Sequence, residues 1–178
     1  MNDSEERIIL VDDDDGEVGL ASKLEAHRRG LRHRAISVSI LDSRGRMLLQ
    51  QRARGKYHSG GLWTNACCTH PRAGEPVEAA ARRRLREELG VDCALKFLAR
   101  THYRAAVGGG LIEDEVVHLF VGAFDGAVTP DPAEVAAYDW VSRAELSARV
   151  AAEPAAYTYW FRHYLRAYAD AMFAGRAA

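Results

Sequence analysis

Apolar and polar positions alternate from Ala35 onward, with Ile36, Val38 and Ile40 on one face. The alternation breaks at Asp42-Ser43-Arg44-Gly45 and resumes through Met47-Leu48-Leu49-Gln50-Gln51. A period of two marks extended chain and a polar, glycine-containing break marks a turn, so this segment reads as a hairpin at the centre of a sheet. Arg7 to Val11 reads as a short strand followed by a turn over Asp12 to Gly16. From Pro76 to Leu89 the period changes to four: Val77, Ala81, Leu85 and Leu89 repeat, Pro76 sits in the first turn and Gly90 ends the run, which predicts a helix. Leu95 to Arg104 and Glu115 to Phe124 read as strands joined by a flexible glycine-rich connection, Val107-Gly108-Gly109-Gly110, and Tyr138 to Val141 as a further short strand. After Pro154 the aromatic residues Tyr157, Trp160, Phe161, Tyr164 and Tyr168 form a stripe at helical spacing, read mainly as core packing.

Strands interrupted by two helical patterns, with no internal repeat, predict an α+β fold, a layered α/β/α sandwich, in a single domain over residues 1–178. A chain of 178 residues can bury roughly 70% of the surface its unfolded form exposes. The net charge of −1 provides no global field for nucleic acid, so anion binding has to be local and a nucleic-acid partner is not expected. No apolar run is long enough to span a bilayer, and the acidic start, Met1 to Glu6, lacks the zones of a signal peptide. With three cysteines, two of them adjacent, a reducing compartment with free thiols is expected, and the chain is placed in the cytoplasm. The aspartates of Asp12 to Asp15 lack the spacing of a helix-flanked calcium loop and read as a solvated turn.

The chemistry is concentrated in two segments, Trp63-Thr64-Asn65-Ala66-Cys67-Cys68-Thr69-His70 and Glu113-Asp114-Glu115. Alternate residues of a strand share a face, which places Cys68 beside His70 and Glu113 beside Glu115, two pairs that form a pocket if their strands face each other. Cys67 points the other way and reads as packing, as does Cys93. On the predicted helix Arg84 shares a face with Glu87 and Glu88, which by itself is equally well a surface ion pair.

Glu75, Arg83, Glu87, Glu88 and Gly90 match the Nudix box, a loop and helix that bind a divalent cation and a diphosphate. Thr69 and Arg84 depart from it, standing where the box has glycine and glutamate. Exchanging that carboxylate for a guanidinium removes a magnesium ligand and adds a phosphate clamp, so the expected task shifts from cutting diphosphate towards holding it. With Trp63-Thr64-Asn65, Cys68-Thr69-His70-Pro71 and Glu113-Asp114-Glu115, the chain from about Lys23 to Trp160 resembles the Nudix-fold (type 1) isopentenyl diphosphate isomerases.

That resemblance implies a Nudix fold with a mixed central sheet and flanking helices. It also implies an allylic shift between isopentenyl and dimethylallyl diphosphates in isoprenoid biosynthesis, with no bond to phosphorus broken. Its metal site falls on His27, His33, His70, Glu113 and Glu115, a donor set suited to Mn²⁺ or Mg²⁺ and also open to Zn²⁺. Glu88 is the expected ligand of a magnesium ion carried in with the diphosphate. Glu115, helped by Tyr103, is expected to deliver a proton and Cys68 to remove one. Lys23, Arg52, Lys56 and Arg84 are expected to bind the diphosphate, and Trp160 to wall the cation, with Trp63 as a further lining residue. His58, His102, His118 and His163 read as surface or structural histidines. A monomer or weak dimer acting on a small molecule is expected. Two alternatives remain at this level: a Nudix hydrolase of nucleoside diphosphate derivatives, and a silent binding domain.

Overall fold

The computed structural model describes residues 6–174, and the expectation drawn from the acidic start falls largely outside them. The chain runs β1 (Arg7–Val11), β2 (Glu17–Ser22), α1 (Lys23–Arg29), β3 (His33–Leu41), β4 (Met47–Arg52), β5 (Trp63–Asn65), β6 (Cys67–Thr69), α2 (Val77–Leu89), β7 (Leu95–Gly108), β8 (Leu111–Ala123), β9 (Val135–Val141), α3 (Arg143–Ala152), a 3₁₀ turn (Pro154–Ala156) and α4 (Tyr159–Ala174). Among these residues no helix is long and apolar enough to cross a membrane.

The expected hairpin around Asp42 is only a corner, because β3 and β4 pair at Leu41 and Met47 and then part. β3 lies antiparallel to β6, with Ser37 opposite Cys68, and parallel to β8 from His33 opposite Glu115 to Leu41 opposite Ala123. β4 pairs instead with β5 and β9. The reason is burial on both faces: Ala35 to Leu41 are all buried, the serines included, and so are Val116, Val117 and Leu119 to Val121. Strands covered on both sides take inner positions in a mixed sheet.

Helices cover the two faces. On one side Ala81, Leu85 and Leu89 of α2 pack on Ile36, Val38, Ile40 and Phe120; on the other Trp160, Phe161 and Tyr164 of α4 pack on Met47, Leu49, Val117 and Leu119. The layered α/β/α sandwich is therefore as expected. α2 ends where Gly90 adopts φ 65° and its N–H returns to the carbonyl of Arg86, the left-handed cap that glycine favours.

The glycine-rich connection is not a loose link. Gly108 pairs with Leu111, leaving Gly109 and Gly110 as a two-residue turn at φ 60° and 74°, the conformation of the tightest hairpins. β8 consequently starts at Leu111 and includes Glu113 as a strand residue. β2, α1 and α3 were not foreseen. α1 has seven residues and α3 buries only Leu146, so neither carries a readable stripe, although Ser142 and Glu145 do place a side-chain cap on α3.

Candidate active site

Four elements converge on one buried cluster. α1 carries His27, β3 begins at His33, His70 follows β6, and β8 presents Glu113 and Glu115 on one face with Asp114 on the other. Asp114 is taken up by Arg32 and His102, at 3.0 and 2.8 Å. The segments bearing Cys68 and Glu115 flank β3 on either side within the one sheet.

Two of the histidines have Nδ1 already committed: that of His27 donates to the Lys23 carbonyl at 2.6 Å and that of His33 to the Leu31 carbonyl at 2.8 Å. Their Nε2 atoms consequently face carboxylate oxygens. His27 Nε2 lies 3.0 Å from Glu113 Oε2, while His33 Nε2 lies 3.7 Å from Glu113 and 3.5 Å from Glu115 and has no hydrogen-bond partner. His70 Nε2 is 3.0 Å from Glu115 Oε1. With Nδ1 donating, the Nε2 of His27 or His33 can meet a carboxylate oxygen favourably only across a shared cation, a proton or a metal ion.

The two carboxylates draw positive charge to this point. Burial works against a charge on His33, but Glu113 and Glu115 overcome it and raise its pKa to about 10. Burial takes His70 down to about 4. Burial also opposes ionisation of Glu113, yet His27, His33 and His58 hold it well below the usual carboxylate range. Single ligand atoms from His27, His33, His70 and Glu113 all lie within 4.8 Å of one another. This arrangement fits a divalent ion, with the orphaned Nε2 of His33 as the clearest sign.

Next to the cluster, Tyr103 donates to Glu115 Oε2 at 2.6 Å, and burial keeps its hydroxyl protonated. Cys68 donates to Asn65 Oδ1 at 3.2 Å and lies 3.4 Å from Ser37 Oγ. Asn65 is itself held by its amide, which donates to Ser37 Oγ and the Val38 carbonyl. Burial pushes the Cys68 thiol up to about 12, with Ser37 opposing. Cys67 faces the α2 side, fully buried, with its sulfur 3.6 Å from Glu88. Trp160 lines the cleft, its Nε1 tied to Thr64 at 3.0 Å and the Arg52 guanidinium 5.3 Å from its ring, whereas Trp63 packs into the core and does not line it.

At the far end Arg84 bridges Glu87 at 2.9 Å, Glu88 at 2.8 Å and Glu134 at 3.4 Å, and Lys56 meets Glu134 at 2.6 Å. Gln50 donates to Glu88 Oε2 at 2.9 Å and to the Ala66 carbonyl at 2.7 Å. Its Oε1 is left buried and unpartnered, like the Nε atoms of Arg52 and Arg84. One free acceptor and two free donors beside a helix carboxylate suit a cation and an anion arriving together. Lys23 pairs with Glu6 at 3.3 Å. Glu87 is occupied by Arg83 and Arg84, and Glu75 clamps Arg83 through both oxygens, at 2.7 and 2.8 Å, so these box residues brace the helix and its loop.

Lys23, Arg52, Lys56, Cys68, His70, Arg84, Glu88, Tyr103, Glu113, Glu115 and Trp160 all line one cleft of about 580 Å³, part of it open to solvent, with His27 and His33 behind it. His58, read as a surface or structural histidine, is not at the surface: its Nε2 lies 3.1 Å from Glu113 Oε1 at the cleft wall. The other histidines meet the expectation: His102 pairs with Asp114, His118 with Asp15, and His163 sits against Tyr103. Gln50, Glu134, Ser37 and Asn65 were also missed as site residues. Only Asn65, inside the Trp63-Thr64-Asn65 motif, carried a signal in the sequence.

The family described as NUDIX domain matches residues 31–161. The Isopentenyl-diphosphate Delta-isomerase of Burkholderia multivorans (strain ATCC 17616 / 249) is 54% identical over 157 residues, covering 88% of this chain and 89% of the relative. That of Jannaschia sp. (strain CCS1) is 54% identical over 154 residues, covering 85% and 87%. Among solved structures, DR0079 from Deinococcus radiodurans superposes with a TM-score of 0.67 at 21% identity, over 83% of this chain and 90% of that one, a likeness of fold alone. Residues, geometry and relatives agree, and the chain belongs to the NUDIX-fold isopentenyl-diphosphate Delta-isomerase family.

Proposed function

We propose that this cleft converts isopentenyl diphosphate to dimethylallyl diphosphate by adding one proton and removing another, leaving the diphosphate intact. The observation that carries this reading is the placement of Cys68 and Glu115 in one cleft, between a cluster that demands a cation and an end rich in guanidinium groups. Arg84, where the Nudix box has a glutamate, favours gripping phosphate over cutting it.

An isolated alkene is a poor base, so its protonation to a tertiary carbocation needs a strong, well-aimed acid. Glu115 fills this role, with Tyr103 fixing one of its oxygens. Cys68 takes the proton from the carbon next to the one that bears the diphosphate. Trp160 walls the cation and excludes water, its ring already lying beside one cationic group, Arg52. Lys23, Arg52, Lys56 and Arg84 hold the diphosphate.

His27, His33, His70, Glu113 and Glu115 would hold a divalent ion, Mn²⁺ or Mg²⁺ with Zn²⁺ as the alternative, and its positive charge would make the Glu115 carboxyl a stronger acid. Glu88 would take a magnesium ion accompanying the diphosphate. The resting electrostatics place a proton on Cys68 and leave Glu115 ionised despite its burial, through the hydrogen bonds of His33 and His70. That is the state in which a forward turnover ends. Before the next one a proton must leave Cys68 and one must return to Glu115, and Tyr103 is the hydroxyl in contact with Glu115.

The test is incubation with isopentenyl diphosphate and magnesium in deuterated water, followed by NMR. Deuterium in the new methyl group, without release of inorganic phosphate, is expected. Phosphate release from nucleoside diphosphate derivatives with no alkene shift would return the chain to the hydrolase reading.

A further inference from the structure

We infer that His58 is a positioning residue for Glu113, and that through this contact the segment 53–62 and the metal-binding cluster hold each other in place. The inference rests on the divalent-ion reading of the cluster given above.

Glu113 uses its two oxygens differently. Oε2 faces the imidazoles of His27, at 3.0 Å, and His33, at 3.7 Å, whereas Oε1 is met from the cleft side by His58 Nε2 at 3.1 Å. His58 Nδ1 lies 3.2 Å from Ser59 Oγ, which can donate to it, and this leaves the Nε2 proton for Glu113. Both partners are buried, with side chains 6% and 4% exposed. The His58 ring is wedged between Tyr57, 4.5 Å away, and Trp160, 5.9 Å away, each edge to face. His58 therefore has one orientation and one task, to donate to the ligand oxygen turned away from the cluster. A ligating carboxylate fixed in this way loses less freedom when an ion binds.

The same segment carries Lys56 and Tyr57. It is tied down by Lys56 on Glu134, by the Gly61 carbonyl accepting from Gln51 and by the His58 carbonyl accepting from Arg52, and Tyr57 Oη reaches His27 at 3.3 Å. Arg54, by contrast, is exposed. Linkage is reciprocal: if His58 helps Glu113 to bind an ion, the ion must steady the segment around His58.

The experiment measures Mn²⁺ dissociation constants by equilibrium titration, and trypsin cleavage after Arg54 with and without Mn²⁺, for the native chain, His58→Ala, His58→Phe and His58→Gln. The visible spectrum of bound Co²⁺ reports the ligand set. We expect His58→Ala and His58→Phe to weaken Mn²⁺ binding about 10–100-fold and to lose the protection from trypsin. His58→Gln, which keeps an N–H donor, should restore most of both with the Co²⁺ spectrum unchanged. Phenylalanine fills the ring's space, so it serves if the alanine variant does not fold. Unchanged binding in the alanine and phenylalanine variants overturns the inference. So does an equal loss in His58→Gln, and an altered Co²⁺ spectrum there would make His58 itself a ligand. A native chain that binds no divalent ion removes the cluster reading and this inference with it.

Discussion

The two ends of the cleft solve opposite charge problems. At the histidine end two buried carboxylates gather the Nε2 atoms of three imidazoles, and His33 Nε2 has no well-aligned partner. At the arginine end Arg84 and Lys56 already rest on Glu87, Glu88 and Glu134. The first end is preformed, so it can exchange the proton on His33 for an ion without rearranging. The second is neutralised from within, so a diphosphate must compete with internal carboxylates. Affinity at one end should thus depend on ligand count, and at the other on how readily the salt bridges exchange.

The largest effect should come from the residue between the ends. Cys68→Ala is expected to lower isomerisation by about 10³-fold or more with the circular dichroism spectrum unchanged. Cys67→Ala, on the opposite face of β6, should keep most activity. Equal losses would mean that the face assignment does not govern the chemistry.

Removing the ion tests the histidine end. With metal at 100 times its dissociation constant, chelation should cost about 2–3 kcal/mol of unfolding free energy, measured by thermal denaturation, and His33→Ala should abolish that metal-dependent increment. A chelator-insensitive transition in the native chain would remove the contrast between the ends.

At the arginine end Arg84→Gln should raise KM about 10–100-fold, the loss of roughly 1.5–3 kcal/mol for a charged hydrogen bond, with a smaller change in kcat. Glu134→Gln, by releasing a competitor for Arg84 and Lys56, should move KM the other way. If both variants raised KM, Glu134 would be supporting these cations and not competing with the substrate for them.

The smallest effect concerns the brace beneath that end. Arg83 holds the Glu75 carboxyl below its ordinary 4.5, with burial opposing. A folded-state pKa below the unfolded one adds stability above the unfolded value, and that stability is lost as pH falls through the folded value. Glu75→Gln should accordingly cost about 0.5–1 kcal/mol near neutrality. The gap from the native chain should close as the pH falls below about 4.5. A gap that persists undiminished in acid would exclude an electrostatic origin.

Much of this was legible because it is local. The repeat of Ala81, Leu85 and Leu89 and the stop at Gly90 became α2 with its left-handed cap. The two faces of Cys67 and Cys68 followed from strand geometry and separated as expected. Every ligand, acid, base and cation assigned through the family motifs lines the cleft or backs it. His58 escaped because nothing around it distinguishes a histidine in a polar loop from a solvated one; its meaning lies in a carboxylate 55 positions away. Gln50 and Glu134 escaped in the same way, since their partners come from α2 and the segment around Lys56.

The sequence by itself determined which side chains could do chemistry, which face of each short element they would share, and where helices and turns had to stop. Those properties depend on neighbours within a turn or two of chain. Only the tertiary structure decided that β3 would leave β4 at Asp42 and lie between β6 and β8, setting His33 opposite Glu115 and Ser37 opposite Cys68. Strand partnership is chosen by burying two apolar faces at once, and that choice belongs to the whole sheet and to no single segment.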